Sequence, residues 1–495
     1  MNFRKPEGWK AARMGMEEDL KVLVESVLSS RCEGQTIELK AAHEGTPKVY
    51  DTLSSFSNQN DGGVIVFGID ESLGFRPVGV FDPQRLQKDV TDQCAEMEPA
   101  VRPTFATVSL GGAILVGAYI PGQLMGSRPV YRRTAGVTRG TYVRVGDADA
   151  KMNANELYEI EAFKSGARDD VSTTPVSTRE MLDSDLVSSF AAKAAEERPH
   201  MAHRSDEEVL SLVGAERNGV PTLAGMMTLS AYPQQAYPNL CVTAIAVAGN
   251  SIGRGEEGER FLDNKRYEGP ISQMVEDAMA FVRRNTKTRV IIAAGRRMDE
   301  PEYPENAVRE ILINSLMHRD YGPYCNGTPT RLVIYGNRLE CWNPGGIYGG
   351  QSVEELGYTN VQTRNPTLVS MLEIQGFAEN RHSGIPVIRD EMRHAGLRPP
   401  VFLDERGSFT ATLYNAPEAA PSYREGGRGR ITEAEVVAFC SIPRSRAEVA
   451  DHFSSNSTYL SREYLNPLVE QGRLSLALPD VPRSKNQRFV ATRRG

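Results

Sequence analysis

Hydrophobic and polar positions follow two periods along this chain, one typical of helices and one typical of strands. In "EEDLKVLVESVLSS" the apolar residues from Leu20 to Leu28 recur three and four positions apart, which predicts an amphipathic helix. In "QTIELKA" apolar and polar residues alternate, so the segment predicts a strand with Glu38 and Lys40 on its polar face. A second helix is predicted over "PKVYDTLSSFSNQ", and the apolar run "VIVFGI" after it predicts a buried strand.

The same periodicities divide the chain into several units. The segments "ATVSL", "AILVGAYI" and "GTYVRVG" predict an α/β first domain with a mixed sheet, and "TRLVIYGNRLECWNP" with "SFTATLYN" predicts a later helix-on-sheet layer. The C-terminal segments predict three helices and a β-hairpin. The predicted fold class is therefore α/β (α+β) multidomain. The first half is predicted to contain a lead-in at 1–20, a mixed-sheet domain at 21–155 and a connector domain at 156–300. A helix-on-sheet module at 301–415, a linker at 416–430 and a winged helix-turn-helix at 431–495 are predicted to follow.

Composition supports several domains and excludes some protein classes. A chain of 495 residues is longer than one core usually organises. With 40% hydrophobic residues, a mean hydropathy of -0.40 and no long apolar run, it is not expected to enter a membrane. Its charged N-terminus does not resemble a signal peptide, and its six cysteines form no CxxC pair. We therefore expect a cytoplasmic protein with reduced thiols and no zinc site.

Charge is distributed unevenly along the chain. The formal net charge is -7, but residues 421–495 hold twelve Lys and Arg against eight Asp and Glu, a local balance of +4. A positive C-terminal segment on an acidic chain is a candidate surface for nucleic acid.

Four residues near the first predicted strands form a candidate catalytic site: Glu33, Glu38, Lys40 and Asp70. If the strands of Glu38 and Asp70 are neighbours, the carboxylates of Glu33, Glu38 and Asp70 converge beside a lysine. Such a cluster could hold Mg²⁺ or Mn²⁺ and activate water for phosphodiester cleavage. The alternative is a solvated strand face on which Glu38 and Lys40 are simple neighbours.

The motifs around these residues resemble a known family. "EGQTIELK", "FSNQNDGGVIVFGIDES" and "TYVRVGDADAKMNANEL" occur in order over roughly residues 20–155 and resemble the Schlafen Alba-type domain. The resemblance implies that Glu33, Glu38 and Asp70 match the two glutamates and the aspartate of the nuclease members. Leu39 and "SNQND" depart mildly from the usual pattern.

A second candidate site lies in "VREILINSLMHRDY". Glu310 and Asn314 are four residues apart and so share a helix face, which is either a solvated polar face or part of a site. The segments "PENAVREILINSLMHRDY", "RLECWNPGGIYGG" and "RNPTLVSMLEIQGFAENRHSGI" resemble the GHKL-like module of bacterial RecG-like transcriptional regulators. The resemblance implies binding of ATP or ADP through these residues: Glu310, Asn314, Asn343, Gly345, Gly346 and Gly384.

One position in this module departs from the nucleotide-binding pattern. Asn343 stands where GHKL proteins have an acid that reads the adenine amino group, and an amide lacks the acid's charge. We therefore expect weak nucleotide binding and slow or absent hydrolysis.

The third candidate surface is basic. Nucleic-acid contacts are expected in the C-terminal domain, where the candidate residues are Arg444, Arg446, Ser457, Thr458, Arg462, Lys485 and Arg488. The alternative is the strand region of the first domain, where the candidates are Arg132, Arg133, Arg139 and Arg144. A winged helix can also serve as a protein-interaction module.

These observations lead to three hypotheses. The first is a nucleic-acid-binding regulator or effector, responsive to nucleotide, that contacts DNA or structured RNA. The second is a metal-dependent Schlafen-type endoribonuclease acting on structured RNA such as tRNA. The third is a nucleotide-responsive assembly protein without catalysis. The sequence leaves open whether the chain is an enzyme and whether it forms a homo-oligomer.

Overall fold

The structure is a computed structural model, and it describes residues 13–252, 261–293, 296–358, 362–377, 384–415, 433–440, 444–452, 460–476 and 487–492. The chain divides into two compact units, Met1–Ala419 and Ala420–Gly495, so the division falls inside the expected linker. No helix within the described residues has the length and apolar character needed to cross a bilayer.

The first domain is built on a four-stranded mixed sheet. Its helices are α1 Arg13–Ser30, α2 Tyr50–Ser57, α3 Pro83–Ala95 and α4 Val137–Gly140, and its strands are β1 Ile37–Lys40, β2 Gly63–Phe67, β3 Ile69–Asp70, β4 Arg76–Pro77, β5 Met97–Glu98, β6 Thr104–Leu110, β7 Ala113–Ile120, β8 Tyr131–Arg132, β9 Tyr142–Val145 and β10 Ala148–Lys151. The sheet order is β1-β2-β7-β6, with β1 parallel to β2 and the other neighbours antiparallel. The mixed sheet predicted for this region is confirmed.

The central strand is apolar at every position because both faces of the sheet are covered. Val64 and Val66 pack with α1 in one core, whereas Ile65 and Phe67 pack with α2 and α3 in the other. Leu39 on β1 belongs to the α1 core. Because side chains alternate along a strand, Glu38 points to the opposite side, towards α2.

Two glycines allow the chain to pass closely from α2 into β2. Gly62 has φ +65°, and a Cβ there would lie 2.1 Å from the carbonyl oxygen of Ile120. A Cβ on Gly63 would lie 2.4 Å from the ring of Phe56. The first glycine supplies a left-handed backbone and the second supplies space, and together they position the strand that leads to Asp70.

The rest of the first unit combines a helical layer with a second sheet. Its helices are α5 Ala154–Ser165, α6 Ser184–Glu197, α7 Asp206–Val213, α8 Leu223–Leu229, α9 Ile271–Asn285, α10 Glu305–Met317, α11 Pro366–Ile374 and α12 Gly384–His394, and its strands are β11 Glu216–Arg217, β12 Val220–Pro221, β13 Val242–Ala246, β14 Asp263–Tyr267, β15 Thr288–Ala293, β16 Arg296–Pro301, β17 Thr330–Ile334, β18 Arg338–Pro344, β19 Val401–Glu405 and β20 Ser408–Tyr414. A capping box between Asn153 and Glu156 begins α5 directly after the first domain.

The second sheet has six strands in the order β14-β13-β17-β18-β20-β19, and β13 lies parallel to β17. The helices α9, α10 and α12 contribute buried residues to the same hydrophobic core as these strands. The expected connector at 156–300 and the module at 301–415 therefore share one sheet and one core. The division expected at residue 300 is not supported, because β13 pairs with a strand more than eighty residues later along the chain.

The described part of the C-terminal unit combines short helices with a small sheet. Its described elements are α13 Glu433–Phe439, β21 Arg444–Ser445, α14 Arg446–His452, a π-helical turn Ser461–Leu465, α15 Asn466–Glu470, β22 Leu474–Leu476 and β23 Arg488–Ala491. The strands form an antiparallel sheet in the order β21-β23-β22. Val436, Val449, Leu465 and Phe489 belong to a core within this unit.

Candidate functional site

The polar face of β1 carries a buried ionic cluster centred on Arg144, whose side chain is 1% exposed. Arg144 Nη1 lies 2.7 Å from Glu38 Oε2 and 3.0 Å from Asp149 Oδ1, and Glu33 Oε2 lies 3.9 Å from Arg144 Nη2. Lys40 pairs with the other oxygen of Glu38. The structure thus brings Glu33, Glu38 and Lys40 together, as expected, but around an arginine that the sequence reasoning had placed on a nucleic-acid surface.

Asp70 does not join this cluster. Its carboxylate accepts hydrogen bonds from the backbone N–H of Ser72 at 2.9 Å and from Ser72 Oγ at 2.6 Å, and the hydroxyl bond lowers its pKa. The neighbouring acid is Glu71, whose pKa is raised by partial burial and further by the charge of Glu38. Within the described residues, no three carboxylate, His or Cys side chains are arranged to hold a metal ion. The convergence of Glu33, Glu38 and Asp70 on one divalent ion therefore stays a prediction.

Glu33 is the most perturbed carboxylate of the cluster. Burial raises its pKa to about 7, and the Glu38 and Glu71 carboxylates add to the effect. A 2.5 Å hydrogen bond from the Leu39 N–H and the charge of Arg144 oppose the shift. Glu33 therefore exchanges a proton near neutral pH.

The basic strand residues of this domain differ in exposure. Arg144 is buried, so the structure does not place it on the surface where nucleic-acid contacts were expected. Arg132 lies 3.8 Å from the ring centroid of Tyr50 and pairs with Glu96 at 3.3 Å, and Arg133 pairs with Glu98 at 3.3 Å. Arg139 is exposed on α4. The ion pairs of Arg132 and Arg133 partly neutralise the positive charge of the surface that was expected to bind nucleic acid.

A cavity of about 310 Å³ lies between α10, α12 and the second sheet. All six residues expected to bind nucleotide line it: Glu310, Asn314, Asn343, Gly345, Gly346 and Gly384. They come from three separate motifs along the chain. Most of the remaining wall is apolar, and its volume is within the range of small-molecule sites.

The polar end of the cavity is formed by α10 and the start of α12. Asn314 Nδ2 donates to Glu310 Oε1 at 3.3 Å. A Cβ on Gly384 would lie 2.3 Å from Glu310 Oε1 and 2.9 Å from Asn314 Nδ2. A larger residue there would displace the Glu310 and Asn314 side chains, so glycine lets the start of α12 lie directly against this pair.

The strand β18 supplies the opposite wall. Asn343 is buried, and its Nδ2 donates to the Pro344 carbonyl at 3.2 Å. Gly345 has φ +93°, and a Cβ there would lie 2.7 Å from the Asp320 backbone nitrogen. The glycine therefore lets the strand end approach the end of α10 closely.

Sequence reasoning missed several polar residues of the cavity wall, among them His318 and Arg364. His318 follows Asn314 by one helical turn, so helical spacing from Glu310 could have indicated it. Burial lowers its pKa to about 4, and the charge of Arg364 adds to this, so the imidazole is neutral at physiological pH. Arg364 lies in a loop, and no local pattern places it here.

In the C-terminal unit several expected nucleic-acid residues make intramolecular contacts. Arg444 lies 4.5 Å from the ring centroid of Phe439, and Arg488 pairs with Glu448 at 3.2 Å. Arg446 lies 5.8 Å from the ring centroid of Phe489. Arg462 is in the π-helical turn. Three further candidates lie outside the described residues: Ser457, Thr458 and Lys485.

Comparison with known proteins gives two family matches. Residues 33–153 match the model described as Schlafen, AlbA_2, and residues 327–413 match the model described as "Putative ATP-dependent DNA helicase recG C-terminal". No curated protein matches the chain.

The solved structures similar to this chain include the following two. One is the DIP2311 protein from Corynebacterium diphtheriae, with 19% identity, a TM-score of 0.40 and coverage of 93% of this chain and 94% of that one. The other is the N-terminal domain of a RecG-related protein from Nitrosomonas europaea, with 29% identity, a TM-score of 0.22 and coverage of 27% of this chain and 92% of that one.

Proposed function

We propose that this chain, which carries a Schlafen AlbA-type domain and a RecG-like module, is a nucleic-acid-binding regulator whose RecG-like module binds an adenine nucleotide. The observation that carries the proposal is the convergence of six residues from three motifs on one cavity. The resemblance to the GHKL-like module implies that these residues bind nucleotide, and their position around one cavity supports that role.

The arrangement favours one orientation of the nucleotide. The start of a helix presents free backbone N–H groups to an anion, so the phosphates belong beside Gly384. Glu310 and Asn314 offer oxygen donors there for Mg²⁺, which retains several waters and is bound jointly with phosphates. The base belongs against the apolar wall near Asn343.

Weak binding and little hydrolysis are expected because Asn343 lacks the charge of an acid. One of its two Nδ2 N–H groups donates to the Pro344 carbonyl, and its Oδ1 offers the base an acceptor that is neutral rather than charged. A neutral hydrogen bond contributes less than a charge-assisted one. The expected dissociation constant for ATP or ADP is therefore micromolar or weaker.

Calorimetry with ATP and ADP in Mg²⁺ buffer tests this function. Asn314→Ala should weaken binding at least tenfold. Asn306→Ala is the matched control, because Asn306 is an exposed asparagine on the same helix that donates to Glu391 outside the cavity. Absence of nucleotide binding to the wild-type chain, or equal loss in both variants, would refute the proposal. Steady phosphate release abolished by Glu310→Ala would refute the expectation of little hydrolysis.

The C-terminal unit is proposed to supply most of the affinity for duplex DNA. Its net positive charge and winged-helix element order support this role. Each phosphate contact releases counterions, so binding should weaken with salt at a log-log slope of about -0.9 per contact. Deleting residues 421–495 should remove this affinity and leave the first unit folded. Gel shifts at two salt concentrations test it, and full salt-sensitive affinity in the truncated chain would assign DNA binding to the first unit.

The endoribonuclease hypothesis is less well supported. Arg144 and Lys40 already hold the Glu38 carboxylate, and Asp70 is bonded to Ser72, so this donor set does not fit a divalent ion as arranged. We propose nucleic-acid binding without metal-dependent cleavage. Incubation with labelled tRNA, with Mn²⁺ or with EDTA, tests this, because Mn²⁺-dependent cleavage that Asp70→Asn abolishes would establish the nuclease instead.

A further inference from the structure

Arg364 connects the cavity wall to the helix that follows the first domain. Its side chain is 10% exposed and lines the cavity. The guanidinium donates to the Gly346 carbonyl at 2.6 Å and pairs with Asp320 Oδ2 at 2.9 Å and with Glu159 Oε1 at 3.4 Å. One side chain therefore holds the wall of the cavity, the end of α10 and α5 together.

The charges around Arg364 are not balanced. Four carboxylates lie near the guanidinium, those of Glu159, Asp169, Asp320 and Asp404. Burial raises the pKa values of Glu159 and Asp169, and the charge of Asp320 raises both further. If the Arg364 guanidinium moved away from Glu159, a buried carboxylate would be left without its cation, and this would cost free energy. The position of α5 is consequently sensitive to where the guanidinium lies.

Both α5 and the cavity wall adjoin the first domain. The α5 helix begins at the Asn153 cap, immediately after β10. Tyr348, which also lines the cavity, packs edge-on against Phe163 of α5 with 5.3 Å between ring centroids. A Cβ on Gly350 would lie 3.4 Å from Met125 and 3.6 Å from Asn60 Oδ1, in the turn that precedes β2. Movement of the wall would therefore reach the first domain directly.

We propose that Arg364 is a positioning residue that transmits occupancy of the cavity to the first domain through its ion pair with Glu159. A ligand that fills the cavity contacts Arg364 and competes with Gly346 and the carboxylates for its N–H groups. Its Nε makes no hydrogen bond within the described residues, so the guanidinium has a donor available. This inference rests on nucleotide binding in the cavity and identifies how that binding is communicated.

Hydrogen exchange of the full chain, with and without saturating ATP and Mg²⁺, tests the inference. In the wild-type chain, nucleotide should change exchange at least fivefold in α5 and in Met125–Ser127, within the usual range of coupling between sites. Glu159→Gln keeps the shape and removes the charge, so it should retain nucleotide affinity within about threefold and lose the exchange response. Arg406→Gln is the control, because Arg406 contacts Glu156 of the same helix at 3.6 Å outside the cavity.

The outcomes separate this inference from the proposed function. No nucleotide binding in the wild-type chain overturns both. Binding without a response in α5, or a response that survives in Glu159→Gln, overturns the inference and leaves nucleotide binding established. If Glu159→Gln fails to fold, Arg364→Lys is the second variant, because lysine keeps the positive charge but lacks the planar guanidinium and its several N–H donors. That variant should also lose the response while it remains folded, and an intact response in it would overturn the inference.

Discussion

Replacing Arg144 with Met should destabilise the first domain strongly, because Arg144 is the shared cation of a buried cluster. The side chains of Arg144, Glu38 and Asp149 are 1%, 9% and 15% exposed. Removing one partner of a buried pair typically costs about 3–5 kcal/mol. Lys40 still pairs with Glu38, and Thr52 still donates to Asp149 at 2.7 Å, so the expected loss is about 3 kcal/mol, at the low end of that range.

Native-state hydrogen exchange at the β1 and β2 amides measures this loss locally, which suits a chain with several units. A loss of about 3 kcal/mol corresponds to exchange roughly 150-fold faster, at 1.4 kcal/mol per factor of ten. The matched control is Arg133→Met, since the Arg133 side chain is 61% exposed and its pair with Glu98 lies at the surface. Its expected cost is below about 1 kcal/mol, or less than about fivefold.

A double variant tests the cause of the loss. Arg144→Met combined with Glu38→Gln should be more stable than Arg144→Met alone, because the second change removes the uncompensated charge. Two results would contradict this: Arg144→Met accelerates exchange no more than the Arg133 control does, or the double variant is less stable than Arg144→Met. Either would show that the charge of Arg144 does not stabilise the first domain by pairing with the buried carboxylates.

Three further predictions concern single side chains. The pKa of Glu33 is about 7 in the folded chain, above its ordinary 4.5, so the folded chain binds more protons than the unfolded chain between these pH values. The free energy of unfolding should therefore fall as pH rises from about 4.5 to about 7. Glu33→Gln should remove this pH dependence, which thermal unfolding at a series of pH values measures. Gly384→Ala should weaken nucleotide binding at least tenfold in calorimetry, because its Cβ would lie 2.3 Å from Glu310 Oε1. Asp170→Ala should cost about 2 kcal/mol in denaturant unfolding, because Asp170 Oδ2 accepts from the Thr367 N–H at 2.7 Å and caps α11.

Each of these has an outcome that contradicts it. An unchanged pH slope in Glu33→Gln would show that another group causes it. Gly126 has open space around its Cα, so Gly126→Ala is the control for Gly384→Ala, and equal effects would remove steric contact as the reason. Full stability of Asp170→Ala would show that another group caps α11.

Local chemistry determined the elements of this protein. The periods of apolar residues predicted α1, β1 and β2 because one buried face imposes its spacing on the sequence. The motif residues Glu310 and Asn314 were predicted to share a helix face for the same reason, and both line the cavity. Relations between residues a few positions apart are fixed by backbone geometry alone.

The tertiary structure decided which distant residues meet. Asp70 and Glu71 are adjacent, yet Asp70 is bonded to Ser72 whereas the charge of Glu38 acts on Glu71, and their positions in the sequence do not determine this difference. Arg144 carries no local signal of burial, since Glu33 and Glu38 from a distant segment join its hairpin neighbour Asp149 in making it a core residue. Arg364 likewise joins the cavity only because α5, α10 and β18 pack around one guanidinium, a contact that sequence spacing does not encode.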